Sequence, residues 1–197
     1  MRRQQRRVNR RFLVVCEGDT ELNYAKALKQ TIPRDQQRGI QIEVQRAGHR
    51  TSAADLLKFA VRLKRKASQD HNPYDQIWIL CDHDHDPNLQ DVFTTAHKQG
   101  ILIGFTCPCI EYWFLLHFRD IRQPFANCEE AYRRLLREWP EYQKTGQNHV
   151  QILHDRLPMA LERADRLRDQ ADPELNIWDQ NPVSTIQDFI RWMHSLT

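Results

Sequence analysis

The sequence predicts an α/β fold: a parallel four-stranded sheet flanked by helices, with a C-terminal helical extension. Three observations carry this. Four short apolar runs recur, about 30 residues apart, each followed by a segment with helical patterning. After residue 120 the strand pattern stops. Three further helical segments then follow. Strict strand–helix alternation argues for parallel strands, because each return to the same direction needs a crossover, and crossover helices cover both faces.

The elements follow in order. Residues 11–17, RFLVVCE, read as a buried strand bounded by Gly18. Thr20 is expected to cap a helix that starts at Glu21 and stops before Pro33. Residues 40–46, IQIEVQR, alternate as a second strand. Residues 52–68 place Ala53, Leu56, Leu57, Ala60, Val61 and Leu63 at helical spacing, with Lys and Arg between them. Residues 74–82, YDQIWILCD, form the third strand and 88–98 a helix that Gly100 ends. Residues 101–106 are a fourth strand, and from Ile110 to about Phe118 the pattern is helical. Segments 127–138, 150–170 and 183–195 also read as helices. The expected organisation is a basic arm at 1–10, an α/β domain at 11–120 and a helical extension at 121–197.

The bulk numbers bound the class. Of the 197 residues, 40% are hydrophobic and 28% charged, which suits a globular protein with a real core. The longest apolar stretches, 101–105 and 112–118, are far too short to cross a bilayer. The Arg-rich N-terminus has no apolar segment of signal-peptide form, so a cytoplasmic location without membrane is expected. Cys16, Cys81, Cys107, Cys109 and Cys128 are read as structural thiols; Cys107-Pro108-Cys109 lacks zinc-knuckle spacing. Net charge is +3, but Arg2, Arg3, Arg6, Arg7, Arg10 and Arg11 hold six of the 29 positive charges. Without them 23 basic residues face 26 acidic ones, a body of −3. Such an arm suits phosphate-backbone contact; a solvated tail is the alternative.

Ligands of open parallel sheets bind at the carboxyl ends of the strands. Strand one ends at Glu17-Gly18 and strand three at Asp82-His83-Asp84-His85-Asp86; strand four leads through Cys107-Pro108-Cys109 to Glu111. Acids gathered at one edge repel one another, and a hard cation such as Mg²⁺ (or Mn²⁺) compensates them with carboxylate oxygens, waters and substrate phosphate as ligands. If the strand order is 2-1-3-4, Glu17 neighbours Asp82 and Asp84. Helix capping is the bland reading, and Asp86 before Pro87 fits it. His83 and His85 point away from the aspartates on an extended segment, so a solvent-facing or supporting role is expected. His117 reads as a packed core residue. Neither a P-loop nor a GxSxG elbow is present.

These residues resemble a known family. A strand ending in Glu-Gly, with Asp-x-Asp after a later strand, is similar to the Toprim pattern of topoisomerases, primases and OLD-type nucleases. Val15-Cys16-Glu17-Gly18, Tyr74-Asp75 before the Trp-bearing strand, the block from Pro108 to Phe118, Tyr142-Gln143-Lys144 and Asn181-Pro182 more closely resemble the RloB family. The resemblance implies a Toprim-like fold and a metal-dependent nuclease acting on DNA or tRNA in phage defence. It implies catalytic residues Glu17, Asp82, Asp84, Glu111 and Lys144, with the four acids as metal ligands. It also implies an AAA- or ABC-type ATPase partner and leaves a homo-oligomer open. Asp19 departs from the pattern, since a basic residue is expected there. A nucleic-acid-binding or ATPase-regulating module without strong nuclease activity is the rival. Strand passage or primer synthesis would need further domains for which the chain has no room.

Overall fold

A computed structural model describes residues 10–48, 52–83 and 87–196. The first strand, β1 (Arg10–Cys16), buries five consecutive residues because both of its faces are covered. Alternate side chains serve two cores. Phe12, Val14 and Cys16 face α1 (Asp19–Thr31) together with Trp78 and Leu80, whereas Leu13 and Val15 join Ile77, Ile79 and Cys81 against α2 (Ala53–Gln69) and α3 (Leu89–Lys98). β1 pairs in parallel with β2 (Ile40–Arg46) on one side and β3 (Gln76–Asp82) on the other, and β3 pairs with β4 (Ile101–Cys107).

The sheet departs from the four-stranded parallel expectation. A fifth strand, β5 (Val183–Ser184), lies antiparallel to β4, giving the mixed order β2-β1-β3-β4-β5. Its two residues are too few to leave an alternating signature. Thr185 completes the edge, as its N–H donates to the Phe105 carbonyl at 2.8 Å and its hydroxyl accepts from the Phe105 N–H at 2.8 Å. α8 (Ile186–His194) then packs on β4.

Three helix expectations also differ, and in the first the helix expected over 183–195 begins only at Ile186, because Val183 and Ser184 pair with β4. α1 begins at Asp19 with Gly18, not Thr20, as its N-cap, and Glu21 reaches back to the Gly18 N–H at 3.0 Å. That bond satisfies an amide the helix itself leaves open. The expected helix over 150–170 is α6 (His149–Leu153), a 3₁₀ turn at His154–Arg156 and α7 (Leu157–Asp169). Pro158 stands in the first turn of α7, where its missing N–H costs nothing but ends any helix arriving from upstream. Between β4 and these helices lie α4 (Ile110–Leu116), all seven residues of which are buried, and α5 (Cys128–Glu138).

Candidate metal centre

The carboxyl edge of the sheet gathers four acids. β1 hands the chain to Glu17, whose N–H still donates to the Leu80 carbonyl of β3 at 3.1 Å. The Glu17 carboxylate in turn accepts the Asp82 N–H at 3.1 Å, which ties the ends of β1 and β3 together. Asp82 closes β3, and the Thr106 hydroxyl of β4 donates to its carboxylate. Glu21 stands one turn into α1 and is 4% exposed. Glu111 stands in the first turn of α4 and is 3% exposed; it accepts from the Tyr142 hydroxyl at 3.1 Å and pairs with Lys144 at 3.3 Å.

The electrostatics show that these acids feel one another. Burial, then the charges of Glu21, Glu111 and Glu17, hold the Asp82 carboxyl well above the usual carboxylate range, against the pull of the Thr106 hydroxyl. Burial and the charge of Glu111 push Glu21 up to about 7, although backbone N–H donors and Lys144 oppose this. Burial pulls the Lys144 ammonium down, yet the charge and hydrogen bond of Glu111 outweigh it and leave it raised. Lys144 thus offsets the charge of Glu111 and, more weakly, of Glu21.

The structure brings together Glu17, Asp82, Glu111 and Lys144 from the sequence-derived set. Asp84 lies outside the described residues, as do His85, Arg2, Arg3, Arg6 and Arg7. Sequence reasoning missed three contributors. Glu21 reads as an ordinary first-turn acid of α1; its signal is that it sits four residues after Glu17 at the same sheet edge. Thr106 leaves no signal, and Tyr142 shows only as the neighbour of Lys144 in a family block, because only the fold sets them against Asp82 and Glu111.

Arg11 is engaged elsewhere. Its guanidinium pairs with Glu43 at 2.6 Å, donates to the Asn72 carbonyl and stacks on Tyr74 at 4.2 Å. Contact with a phosphate would break that set. Arg10 is exposed, over the Phe12 ring at 5.7 Å. Asp19, the departure from the family pattern, pairs with Arg46 of β2 at 2.8 Å, so the neighbouring strand supplies a positive charge to this loop. The His83 N–H donates to the Thr106 carbonyl at 2.9 Å, and its ring packs 6.2 Å from Phe105. His117 is 2% exposed and bonds the Trp113 carbonyl through Nδ1 at 3.1 Å, a core role. Cys16, Cys81, Cys107 and Cys109 are buried and Cys128 half-buried, none in a disulfide.

A family model described as RloB-like protein matches residues 12–193. The chain belongs to the RloB-like family. No curated protein and no solved structure gives a significant match. The matched span of this RloB-like chain runs from β1 to α8 and includes all four acids, Lys144 and β5. No helix among the described residues is long and apolar enough to cross a membrane.

The donor set can be tested against Mg²⁺ or Mn²⁺. Its donors are hard carboxylate oxygens, and the crowding of Glu21 and Asp82 marks an excess of negative charge; both fit such an ion. Among the described residues no three His, Cys, Asp or Glu side chains stand in a ready ligand arrangement. Each acid is instead held by its own donor: Gly18 for Glu21, the Asp82 N–H for Glu17, Thr106 for Asp82, and Tyr142 with Lys144 for Glu111.

Proposed function

We propose that this RloB-like chain is a Toprim-type, Mg²⁺- or Mn²⁺-dependent nuclease that hydrolyses a phosphodiester of DNA or tRNA, in phage defence and under the control of a partner ATPase. The observation that carries the reading is Asp82. A carboxyl buried beside Glu21, Glu111 and Glu17 is unfavourable alone, and a divalent cation relieves it. Glu17, Glu21, Asp82 and Glu111 would hold the ion, with Asp84 as a further ligand. A bound ion of this kind supplies charge for the scissile phosphate and a water of lowered pKa.

The protein's own groups divide the remaining work. Glu17 and Asp82, tied through one hydrogen bond, fix the spacing of the ligand oxygens. Tyr142 orients Glu111. Lys144, mostly exposed but anchored on Glu111, can swing toward a phosphate oxygen and offset its charge.

The rival is a nucleic-acid-binding or ATPase-regulating module without strong cleavage. That each acid is already held by a donor of the protein itself favours it. Thermal melting with Mg²⁺, Mn²⁺ or EDTA, together with incubation with tRNA, plasmid and single-stranded DNA, separates the two. A nuclease gains stability on metal addition and cuts at least one substrate. Melting indifferent to metal, with every substrate intact, rejects the nuclease.

A further inference from the structure

Several arginines after α4 pair with acids. Arg119 pairs with Glu138, Arg122 with Asp120, Arg134 with Glu130, and Arg168 and Arg191 with Asp165 and Asp188. α2 is different. Between residues 53 and 70 it carries Lys58, Arg62, Lys64, Arg65 and Lys66 against Asp55 and Asp70, a local +3 on a body that is otherwise acidic. Lys58 pairs with Asp55 and Lys64 reaches the Gln99 carbonyl. Arg62, Arg65 and Lys66 are exposed and have no acidic partner among the described residues.

Spacing and rigidity turn these charges into a stripe. Positions 58, 62, 65 and 66 recur on one helical face and span about 12 Å at 1.5 Å per residue. The opposite face is fixed, since Leu56, Leu57 and Ala60 are buried against the sheet. Arg62 lies over the half-buried Phe59 ring at 5.0 Å, which holds its guanidinium outward on the surface. The stripe is also well placed. β2 ends at the sheet edge that carries Glu17 and Asp82, so α2 starts at that edge and runs away from it.

We propose that the exposed face of α2 is a track for the phosphate backbone of double-helical nucleic acid entering the carboxylate site. This rests on the nuclease reading only for the nature of the partner. Helical stems fit better than single strands because the stripe offers cations but no exposed aromatic ring on which bases could stack. A duplex strand rises 3.4 Å per phosphate but winds as it rises, so neighbouring phosphates stand roughly 6–7 Å apart and a stripe of about 12 Å meets roughly two or three.

The test is binding, not cleavage. The full chain and the triple variant Arg62→Gln, Arg65→Gln, Lys66→Gln are titrated in EDTA against labelled duplex DNA across a salt series. The same is done with a single strand of equal length and with polyglutamate; circular dichroism and melting check the fold. The track predicts at least tenfold weaker duplex binding and a salt slope shallower by about two to three units, at 0.9 per phosphate contact. It also predicts a smaller loss for the single strand and weak binding of polyglutamate. A triple variant with an unchanged slope sinks the track alone and leaves the nuclease reading standing. Equal loss for the single strand overturns the double-helical assignment. Polyglutamate bound as tightly as duplex at matched charge reassigns the stripe to an acidic protein. Wild-type protein that binds no nucleic acid in EDTA overturns the track, and the nuclease reading is then decided by the metal melting and cleavage assays.

Discussion

The N–H of Asp82 donates to the Glu17 carboxylate at 3.1 Å, so the last residue of one strand is fastened by the acid that follows its neighbour. Glu17 is therefore both a candidate ligand and part of the frame. Glu17→Gln keeps an acceptor for that N–H, and Asp82→Asn keeps one for Thr106. In EDTA at pH 8 Glu17→Gln should melt near wild type and Asp82→Asn at or above it, since it removes a buried carboxylate from the repelling set; both should lose the metal-induced rise in melting temperature and lose cleavage. Glu17→Ala should in addition cost about 1–3 kcal/mol, because it strands a partly buried donor. Full cleavage with normal metal dependence in Asp82→Asn removes the site from consideration.

Glu21 contributes charge that the metal-free protein must tolerate. Glu21→Gln retains an acceptor for Gly18 and removes one member of the repelling set. At pH 8 in EDTA the variant should be more stable than wild type by about 1–3 kcal/mol, and Mg²⁺ should stabilise it less. A variant less stable than wild type under these conditions would mean that the helix-capping bond outweighs the repulsion.

His117 sets an acid limit. Burial, aided by the charges of Arg163 and Arg156, lowers its pKa to about 4 despite hydrogen bonds to backbone. A depressed pKa contributes stability that is present above the unfolded value of about 6.5 and is lost as pH falls through 4. The full difference is about 3 kcal/mol. The wild-type advantage over His117→Gln in urea unfolding should shrink from pH 7 to pH 4. A pH-independent difference between the two proteins contradicts this.

Gly104 in β4 lets α8 approach the sheet. A Cβ there would stand 2.7 Å from Leu80 Cδ2 and 3.3 Å from Ile186 Cδ1, both in packed core. Gly104→Val should destabilise by about 1–3 kcal/mol, visible as a lower urea midpoint at unchanged slope. A variant as stable as wild type would show that α8 yields freely.

The sequence by itself determined the four parallel strands, because a strand buried on both faces must be apolar throughout and its crossover helix must show an apolar stripe; RFLVVC, QIWILC and the spacing of α2 record those demands directly. It also determined that Glu17 and Asp82 stand where strands end and that Glu111 follows the fourth strand near the start of a helix. Tertiary structure alone decided the rest. β5 is two residues long and owes its place to pairing with Thr106 and Cys107, contacts far apart along the chain. The break between α6 and α7 turns on a single Pro158. Glu21 looks like a capping acid until α4 brings Glu111 near it, and Tyr142 joins the site only because its loop folds back onto α4. Charge repulsion and burial depend on distances through space, and no local pattern of residues encodes them.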